Sequence, residues 1–439
     1  MSYLIPQLNF QEIDISDITL SSEQQKLFDH FENTNSHLFI TGKAGTGKSA
    51  LLQYIKLHTQ KNIIVVAPTG VAALNVGGQT IHSLFLFPPT FIDTRSLRLA
   101  SKTAKILKNI DTLIIDEVSM VRADLMDGID FLLRQARNNN EPFGGIQLLM
   151  FGDLYQLPPV VNDPQLLQYF HELNGGFYFF NSLAWNGTEL ETYELNQNFR
   201  QTDEKFKSIL NSLRNGEINE DTLMSLNERS KFSPPVNGVI TLATTNATVF
   251  QINYDHLLSL PSKSFAFQAS ITGDLDSSSF PTEKTLVLKK GAQIMMLKND
   301  SRKRWVNGSI GVIEDVTDQE IKVNVDGNVH IVSPETWNKI RYSFNSETRQ
   351  MEEEVVSSFT QFPLRLAWAI TVHKSQGQTY NSVIIDIGRG AFAHGQTYVA
   401  FSRCRSLETL YLKRPLTFND IIVDPAIINF MKKVNINQI

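Results

Sequence analysis

The chain has 439 residues, 42% of them hydrophobic and 19% charged, with a formal net charge of −5 at pH 7. This is a globular composition, long enough for two large domains, and it excludes a disordered polypeptide. The acidic balance means that a phosphate-rich partner would have to be met by a local groove rather than by bulk charge, and the single cysteine, Cys404, excludes an intramolecular disulfide framework and a cysteine-rich zinc site.

One cysteine fits a reducing compartment. The opening stretch MSYLIPQLNFQEIDISD lacks a basic run followed by an apolar one, so no secretory leader is expected. No apolar run reaches the roughly eighteen residues of a membrane span, so no membrane association is expected.

The first strong signal is HLFITGKAGTGKSALLQYIK, residues 37–56. A short apolar run with strand character enters G-x-x-x-x-G-K-[ST], and a helical pattern follows, which is the context that motif requires. Gly42, Gly45, Thr46 and Gly47 let backbone N–H groups form an anion cradle. Lys48 brings a positive charge to the β- and γ-phosphates of a nucleotide, and Ser49 a hydroxyl ligand for Mg²⁺. A second apolar run at 62–66 leads into APTGVAALNVGGQTIHSLF, and the stretch around 84–97 carries the pair Pro88–Pro89. The run Asp111–Ile115 ends in Asp116 and Glu117. Asp116 is suited to hold Mg²⁺ and Glu117 to orient or deprotonate an attacking water; an acidic helix cap is the alternative. Another run, 146–151, enters GDLYQLPPV, where Gln156 is a candidate γ-phosphate or water sensor and Asp153 a support for it; a plain turn is the alternative. Apolar runs at 37–41, 62–66, 111–115 and 146–151 alternate with helical stretches. They predict a parallel sheet covered on both faces, with ligands at the carboxyl ends of its strands.

Near residue 184 a new set of elements begins, with Arg200 in ELNQNFRQ and a strand, loop and helix over 239–260. From 284 to 331 the pattern changes to short alternating strands, with Asp326–Gly327 as a hairpin turn, and predicts a small β-barrel-like insertion running to about 360. Its basic cluster, Lys284, Lys289, Lys290, Lys298, Arg302, Lys303 and Arg304, is either a nucleic-acid contact or a solvated face. Towards the end, LAWAITVHKSQGQTYNSVIIDI and GQTYVAFSRCRSLETLYL bring Arg403 and Arg405. An arginine presented across a cleft to a phosphate loop would stabilise transferring negative charge; surface arginine is the alternative.

Taken together, APTGVAALNVGGQTIHSLF, IIDEVSM, GDLYQLPPV, NFRQ, TVHKSQGQT and YVAFSRCRSL resemble the superfamily 1 helicases of the 5′-to-3′ class, in particular the petite-integration-frequency family, with RecD-like helicases as near relatives. The resemblance spans roughly residues 20–412; Leu154 and Tyr155 depart mildly from the aromatic residues often found there. It implies an α/β fold of two RecA-like P-loop NTPase domains with a small wedge insertion and a small SH3-like β-barrel insertion. The expected organisation is a first domain over 1–183 with the wedge at about 84–105, a second domain over 184–300 and 363–439, and the β insertion at 301–362. The short segment before residue 20 suggests little beyond a helicase core.

The same resemblance implies ATP between the domains. Gln24 would read adenine, Lys48, Ser49, Asp116 and Glu117 would form the hydrolysis core, and Gln156, Arg200, Gly377 and Arg403 would surround the γ-phosphate. DNA contacts are expected from Pro68, Thr69, Gly70, Asn75, Thr80, His82 and Phe85, and from Thr371, His373, Lys374, Ser375 and Gln376, with His82, His373 or Phe85 as base contacts. The histidines have an interior or surface role as the alternative. The expected function is ATP-dependent 5′-to-3′ translocation on single-stranded DNA with duplex unwinding, in replication, repair, recombination or telomere and G-quadruplex processing. Single-strand/duplex junctions are the expected partners, and G-quadruplexes and RNA–DNA hybrids stay open. A monomer is expected in solution, with a DNA-induced dimer left open. An intracellular location is expected: cytoplasm or nucleoid in a bacterium, nucleus or mitochondrion in a eukaryote. A DNA-stimulated remodeller without productive unwinding and a nucleotide-regulated binding protein are the alternatives.

Overall fold

The computed structural model describes residues 19–88, 90–161, 163–201, 203–235, 238–345 and 350–437. The leader reading of the first seventeen residues, and Pro89 of the Pro88–Pro89 pair, fall outside the described residues.

Four apolar runs of the first half become strands Leu38–Gly42, Ile63–Ala67, Thr112–Ile115 and Gln147–Phe151. They belong to one seven-stranded parallel sheet, ordered Ile436–Asn437, Glu191–Leu195, Leu38–Gly42, Gln147–Phe151, Thr112–Ile115, Ile63–Ala67, Gln79–Thr80. The central strands are apolar at nearly every position because both faces are covered. On one face Leu27 and Phe31 of helix Ser22–Asn33 and Leu51, Leu52 and Ile55 of helix Lys48–His58 are buried. On the other, Met126, Ile129 and Leu133 of helix Ala123–Arg137 recur at helical spacing and are buried. Each such side chain contributes roughly 1.5–3 kcal/mol on burial. Ser21 starts helix Ser22–Asn33 with a reciprocal capping box: the Gln24 N–H donates to Ser21 Oγ and the Ser21 N–H to Gln24 Oε1.

A second parallel sheet is ordered Ala369–Thr371, Ile240–Ala243, Val383–Asp386, Leu410–Leu412. The two parallel sheets establish an α/β fold of RecA-like type. Inserted within the second sheet, between its strands Ile240–Ala243 and Ala369–Thr371, lies an antiparallel part with its own core, including Leu288, Ile294, Trp305, Ile313, Val323 and Leu364. Its five-stranded sheet runs Asn328–Val332, Ile321–Val325, Ile310–Val316, Gln293–Met296, Leu364–Leu366. Asp326 and Gly327 join two of these strands at φ 50° and 85°, the left-handed pair that a two-residue hairpin turn requires. A long hairpin of Glu335–Asn345 with Gln350–Gln361 extends from it.

Three boundaries differ from those expected. The first sheet does not stop at 183: Glu191–Leu195 pairs in parallel with Leu38–Gly42 and buries Tyr193 and Leu195. The antiparallel sheet is wider than 301–362, because Gln293–Met296 pairs with both Ile310–Val316 and Leu364–Leu366. The stretch 363–439 does not stay with the second sheet. Helix Pro425–Lys433 stacks Phe430 on Phe180 at 4.1 Å, and strand Ile436–Asn437 closes the edge of the first sheet. Aromatic residues 177–180 supply the apolar surface that draws this segment back.

Candidate nucleotide and nucleic-acid site

The phosphate loop lies at the carboxyl end of Leu38–Gly42 and opens helix Lys48–His58. Gly45 and Gly47 take φ of 86° and 83°, and neither has room for a side chain. A Cβ at Gly45 would sit 2.5 Å from the Arg200 Cβ, and one at Gly47 would sit 2.5 Å from Gln24 Nε2. Lys48 folds over the loop, its Nζ donating to the carbonyls of Gly42 (2.6 Å) and Lys43 (3.1 Å). Burial lowers its pKa, against the opposing pull of Asp153 and Glu117. Thr46 Oγ1 donates to the Lys43 carbonyl. Gln24 abuts this loop, but its amide is already engaged: Nε2 donates to the Gly47 carbonyl at 3.2 Å and Oε1 accepts from Ser21. Adenine reading by Gln24 would have to replace one of these bonds. Phe199 was not singled out from the sequence. Its ring lies beside Gly47 and is 57% exposed.

Asp116 and Glu117 follow strand Thr112–Ile115. Burial, reinforced by Glu117, pushes the Asp116 carboxyl up to about 7. Burial also raises Glu117, although Lys48 and Arg403 oppose it, and Glu117 holds a left-handed backbone at φ 50°, a strain of order 1–3 kcal/mol. Carboxylates this poorly solvated are suited to a cation. The oxygen donors of Asp116 and Ser49 fit Mg²⁺, which takes one or two protein ligands and completes its shell with phosphates and water.

Asp153 is the hub of the site and is 1% exposed. Its Oδ1 accepts from Arg214 Nη2 (3.2 Å) and the Tyr155 N–H (3.2 Å); its Oδ2 accepts from Gln156 Nε2 (3.3 Å) and the Tyr398 hydroxyl (3.2 Å). Burial alone would raise its pKa, but Arg214 and Lys48 outweigh that and hold it below the usual carboxylate range. Arg214 also pairs with Glu194 at 3.3 Å and lies over the Tyr155 ring.

The second half reaches this loop directly. The Tyr398 hydroxyl accepts from the Ala44 N–H at 3.1 Å. His394 Nε2 donates to the Leu154 carbonyl (2.9 Å) while its Nδ1 accepts from the Asp424 N–H (2.9 Å), a pairing that requires neutral imidazole. From the other side, Arg200 Nη1 donates to the Ser402 carbonyl (3.1 Å) and Nη2 to the Gly377 carbonyl (3.4 Å). Asn198 and Gln201 hold Arg200 in place: Asn198 Oδ1 accepts from the Arg200 N–H, and Gln201 Nε2 donates to the carbonyls of Ser402 and Cys404. Burial, then Arg403, pulls the Arg200 pKa down to about 9. Arg403 is 1% exposed; it donates to the carbonyls of Val399, Ser375 and Gln378 and to Ser402 Oγ. Neither Arg200 nor Arg403 takes part in an ion pair among the described residues. Arg200 therefore lies beside the phosphate loop, its Cβ against Gly45, and Arg403 acts on the Glu117 carboxylate, so positive charge is gathered where an anion site requires it.

The residues expected to touch DNA sit at strand ends of both sheets. Pro68, Thr69 and Gly70 follow Ile63–Ala67; Thr69 and Thr80 cap short helices by accepting the N–H groups of Ala72 and Ser83, which leaves each hydroxyl proton free to donate. Asn75 is exposed, and Gly70 lies against Ser279, whose Oγ would be 2.9 Å from an added Cβ. His82 is half-buried, its pKa lowered by burial and then by Arg122. Phe85 does not fit a base platform: it is 2% exposed and stacks on Phe87 at 5.3 Å, inside the core. In the second set, His373 is half-buried and Lys374 exposed. Thr371 is buried and its Oγ1 accepts from the Lys374 N–H. Ser375 does not reach the surface, because its hydroxyl donates to the Val372 carbonyl at 2.7 Å and it has no exposed area. Gln376 keeps a buried Nε2 that finds no hydrogen-bond partner among the described residues.

Comparison with known proteins agrees with this geometry. The PIF1-like helicase family model matches residues 19–223. The human ATP-dependent DNA helicase PIF1 is 34% identical over 417 residues, which cover 90% of this chain and 60% of the human protein; the chain therefore spans about three fifths of that relative. Among solved structures, Bacteroides sp Pif1 in complex with ADP-AlF4 is 39% identical and superposes with a TM-score of 0.87, covering 95% of this chain and 97% of that one. Bacteroides Pif1 bound to ssDNA has the same identity and coverage and a TM-score of 0.69. Similarity of this extent, over a fold with the phosphate loop and both arginines at one cleft, shows that the chain belongs to the PIF1-like helicases, ATP-dependent DNA helicases of superfamily 1.

Proposed function

We propose that this chain hydrolyses ATP at the cleft between its two parallel sheets and uses the cycle to move 5′-to-3′ along single-stranded DNA, opening duplexes at single-strand/duplex junctions. The observation that carries this is the double engagement of Arg403. Its guanidinium acts electrostatically on the Glu117 carboxylate while Nη1 donates to the carbonyls of Ser375, within the segment expected to track DNA, and of Gln378, two residues beyond it. A change in charge at the cleft is thereby transmitted to that backbone. The Bacteroides relatives, solved with ADP-AlF4 and with ssDNA, support both ligands.

In this scheme Lys48 and the loop N–H groups hold the phosphates, and Ser49 and Asp116 would hold Mg²⁺, which neutralises phosphate charge when bound. Glu117 takes the proton of the attacking water, Gln156 orients that water, and Arg200 and Arg403 stabilise the charge that develops. Phe199, an exposed ring beside the loop, is the candidate stacking surface for adenine. Residues 84–105 are assigned as the strand-separating wedge, with exposed Leu86 and Pro88 projecting from a base pinned by the Arg122–Thr90 and Ile92–Asp124 bonds. The five-stranded antiparallel sheet is assigned as the SH3-like insertion.

The test is ATP-dependent opening of matched duplexes with a 5′ or a 3′ tail, with Lys48→Ala as control. Selective opening of the 5′-tailed duplex, lost in the control, is expected. Preference for the 3′ tail would overturn the polarity. DNA-stimulated hydrolysis without opening of either duplex would favour a translocase that remodels protein–DNA complexes.

A further inference from the structure

We infer that Tyr398 is a positioning residue for hydrolysis, through which the second half of the chain sets the orientation of the Gln156 amide by way of Asp153. This rests on the assignment of the cleft as the ATP site. A phenol offers one proton and two acceptor lone pairs. The Tyr398 hydroxyl receives the Ala44 N–H at 3.1 Å and gives its proton to Asp153 Oδ2 at 3.2 Å, a contact spanning 245 residues of sequence. The same Oδ2 receives Gln156 Nε2 at 3.3 Å. With its nitrogen on a carboxylate, the Gln156 amide cannot flip, since a flip would set its oxygen against Asp153. Its Oε1 is then the atom turned away from Asp153 and available to accept a hydrogen bond from water.

Three further contacts fix Tyr398 in register with this loop. His394 Nε2 donates to the Leu154 carbonyl at 2.9 Å. A Cβ at Gly395 would lie 2.4 Å from the Gln156 carbonyl oxygen and 2.5 Å from that of Tyr155, so backbone meets backbone there with no space between. Arg214 holds the opposite oxygen of Asp153, which stops the carboxylate from rotating. Separation of the two halves at this contact would take the phenol proton off Oδ2 and leave Gln156 as the only side chain on that oxygen among the described residues. The seating of helix Gln396–Phe401, which carries Tyr398 and leads into Arg403, is thus signalled to the water-orienting amide within one hydrogen-bond step of the phosphate loop.

The experiment is steady-state ATPase assay of Tyr398→Phe with saturating oligo-dT, in the wild-type and the Gln156→Ala backgrounds, with the affinity for a fluorescent ATP analogue and the thermal midpoint read alongside. Loss of one hydrogen bond of this kind predicts a fall in kcat of about three- to tenfold, with KM and analogue affinity changed less than about twofold. The fall should vanish when Gln156 is already alanine. Wild-type kcat in Y398F, or the same fold-loss in both backgrounds, would overturn the inference. Should the Phe variant not fold, Tyr398→Leu replaces it under the same two comparisons. A wild-type protein without Lys48-dependent turnover would overturn the ATP-site assignment and this inference with it, an outcome distinct from an active wild type that Y398F matches.

Discussion

Replacing Arg200 with alanine removes the guanidinium that spans the mouth of the cleft. This group donates to the Ser402 carbonyl at 3.1 Å and to the Gly377 carbonyl at 3.4 Å, bonds between the two halves of the chain. A hydrogen bond from a charged donor is worth about 1.5–3 kcal/mol, and counting only the shorter bond gives a closing equilibrium weakened by roughly ten- to hundredfold. Arginines that meet a transferring phosphoryl group contribute about 10³–10⁵ in turnover. With both effects in one side chain, kcat for DNA-stimulated hydrolysis should fall by at least about 10³, since the second factor alone reaches that figure. ADP affinity should change by no more than roughly threefold, because the β-phosphate cradle of Lys48 and the loop N–H groups is left in place. Arg200→Lys should recover little, as a single ammonium cannot serve two carbonyls and a phosphate together. The assay is phosphate release at saturating ATP and oligo-dT, paired with equilibrium binding of a fluorescent ADP. An Arg200→Ala protein that keeps more than about a tenth of wild-type kcat would refute the reasoning.

Three other outcomes follow from the same geometry. Lys48→Ala should lose both nucleotide affinity and turnover, whereas Glu117→Gln should keep nucleotide binding and lose about 10²–10⁴ in turnover; parallel binding and single-turnover measurements separate the two, and equal loss of binding in E117Q would remove Glu117 from its role. Phe85→Ala should cost about 3–5 kcal/mol in chemical denaturation, as expected of a large core side chain, with ssDNA affinity of the folded fraction unchanged; a selective loss of DNA binding would restore Phe85 as a base contact. His394 gives a pH signature. Burial depresses its folded pKa, although the Leu154 carbonyl, Asp424 and Asp153 pull the other way. The unfolded chain takes up a proton near pH 6.5 that the native site refuses, so stability is full above that pH and declines as pH drops below it, by up to about 1.4 kcal/mol per pH unit. Thermal melts from pH 8 to 5 should show a shallower decline in His394→Gln, and an identical profile would exclude the effect.

Much of the candidate nucleotide site could be proposed from the sequence because its parts are contiguous. A loop whose glycines, lysine and serine act within eight residues carries its own context, and Asp116–Glu117 ends an apolar run whose direction into the site follows from parallel-sheet geometry. Asn198, Phe199 and Gln201 flank Arg200, so the signal for them was present but unweighted. Arg214 had none: one arginine near the end of an amphipathic helix is ordinary, and only the fold sets it on Asp153. The link from Tyr398 to Asp153 likewise depends on a contact between distant segments. Phe85 and Ser375 show the opposite failure. An aromatic ring beside a DNA-facing motif and a hydroxyl within one look alike in sequence, whether they face out or in. The expected boundaries missed Glu191–Leu195 and Ile436–Asn437 because strands of five and two residues, added to the sheet far along the chain from its other strands, carry too little periodicity to be assigned to it.

The return of Ile436–Asn437 to the edge of the first sheet has a mechanical consequence. The polypeptide crosses between the two halves twice, once after Leu195 and once after Leu412, and the second crossing is anchored by Phe430 on Phe180 and by the Tyr178–Asp424 bond. A body held by one strap can twist as well as open. A body held by two straps has lost much of its freedom to twist, and what remains is rotation about the line joining the anchors. Two anchors of this kind would direct a free-energy change at the cleft mainly into opening. Cutting the second strap, by removing the residues from Asp424 onward, would leave the nucleotide pocket's side chains intact while making the stroke they drive less directed.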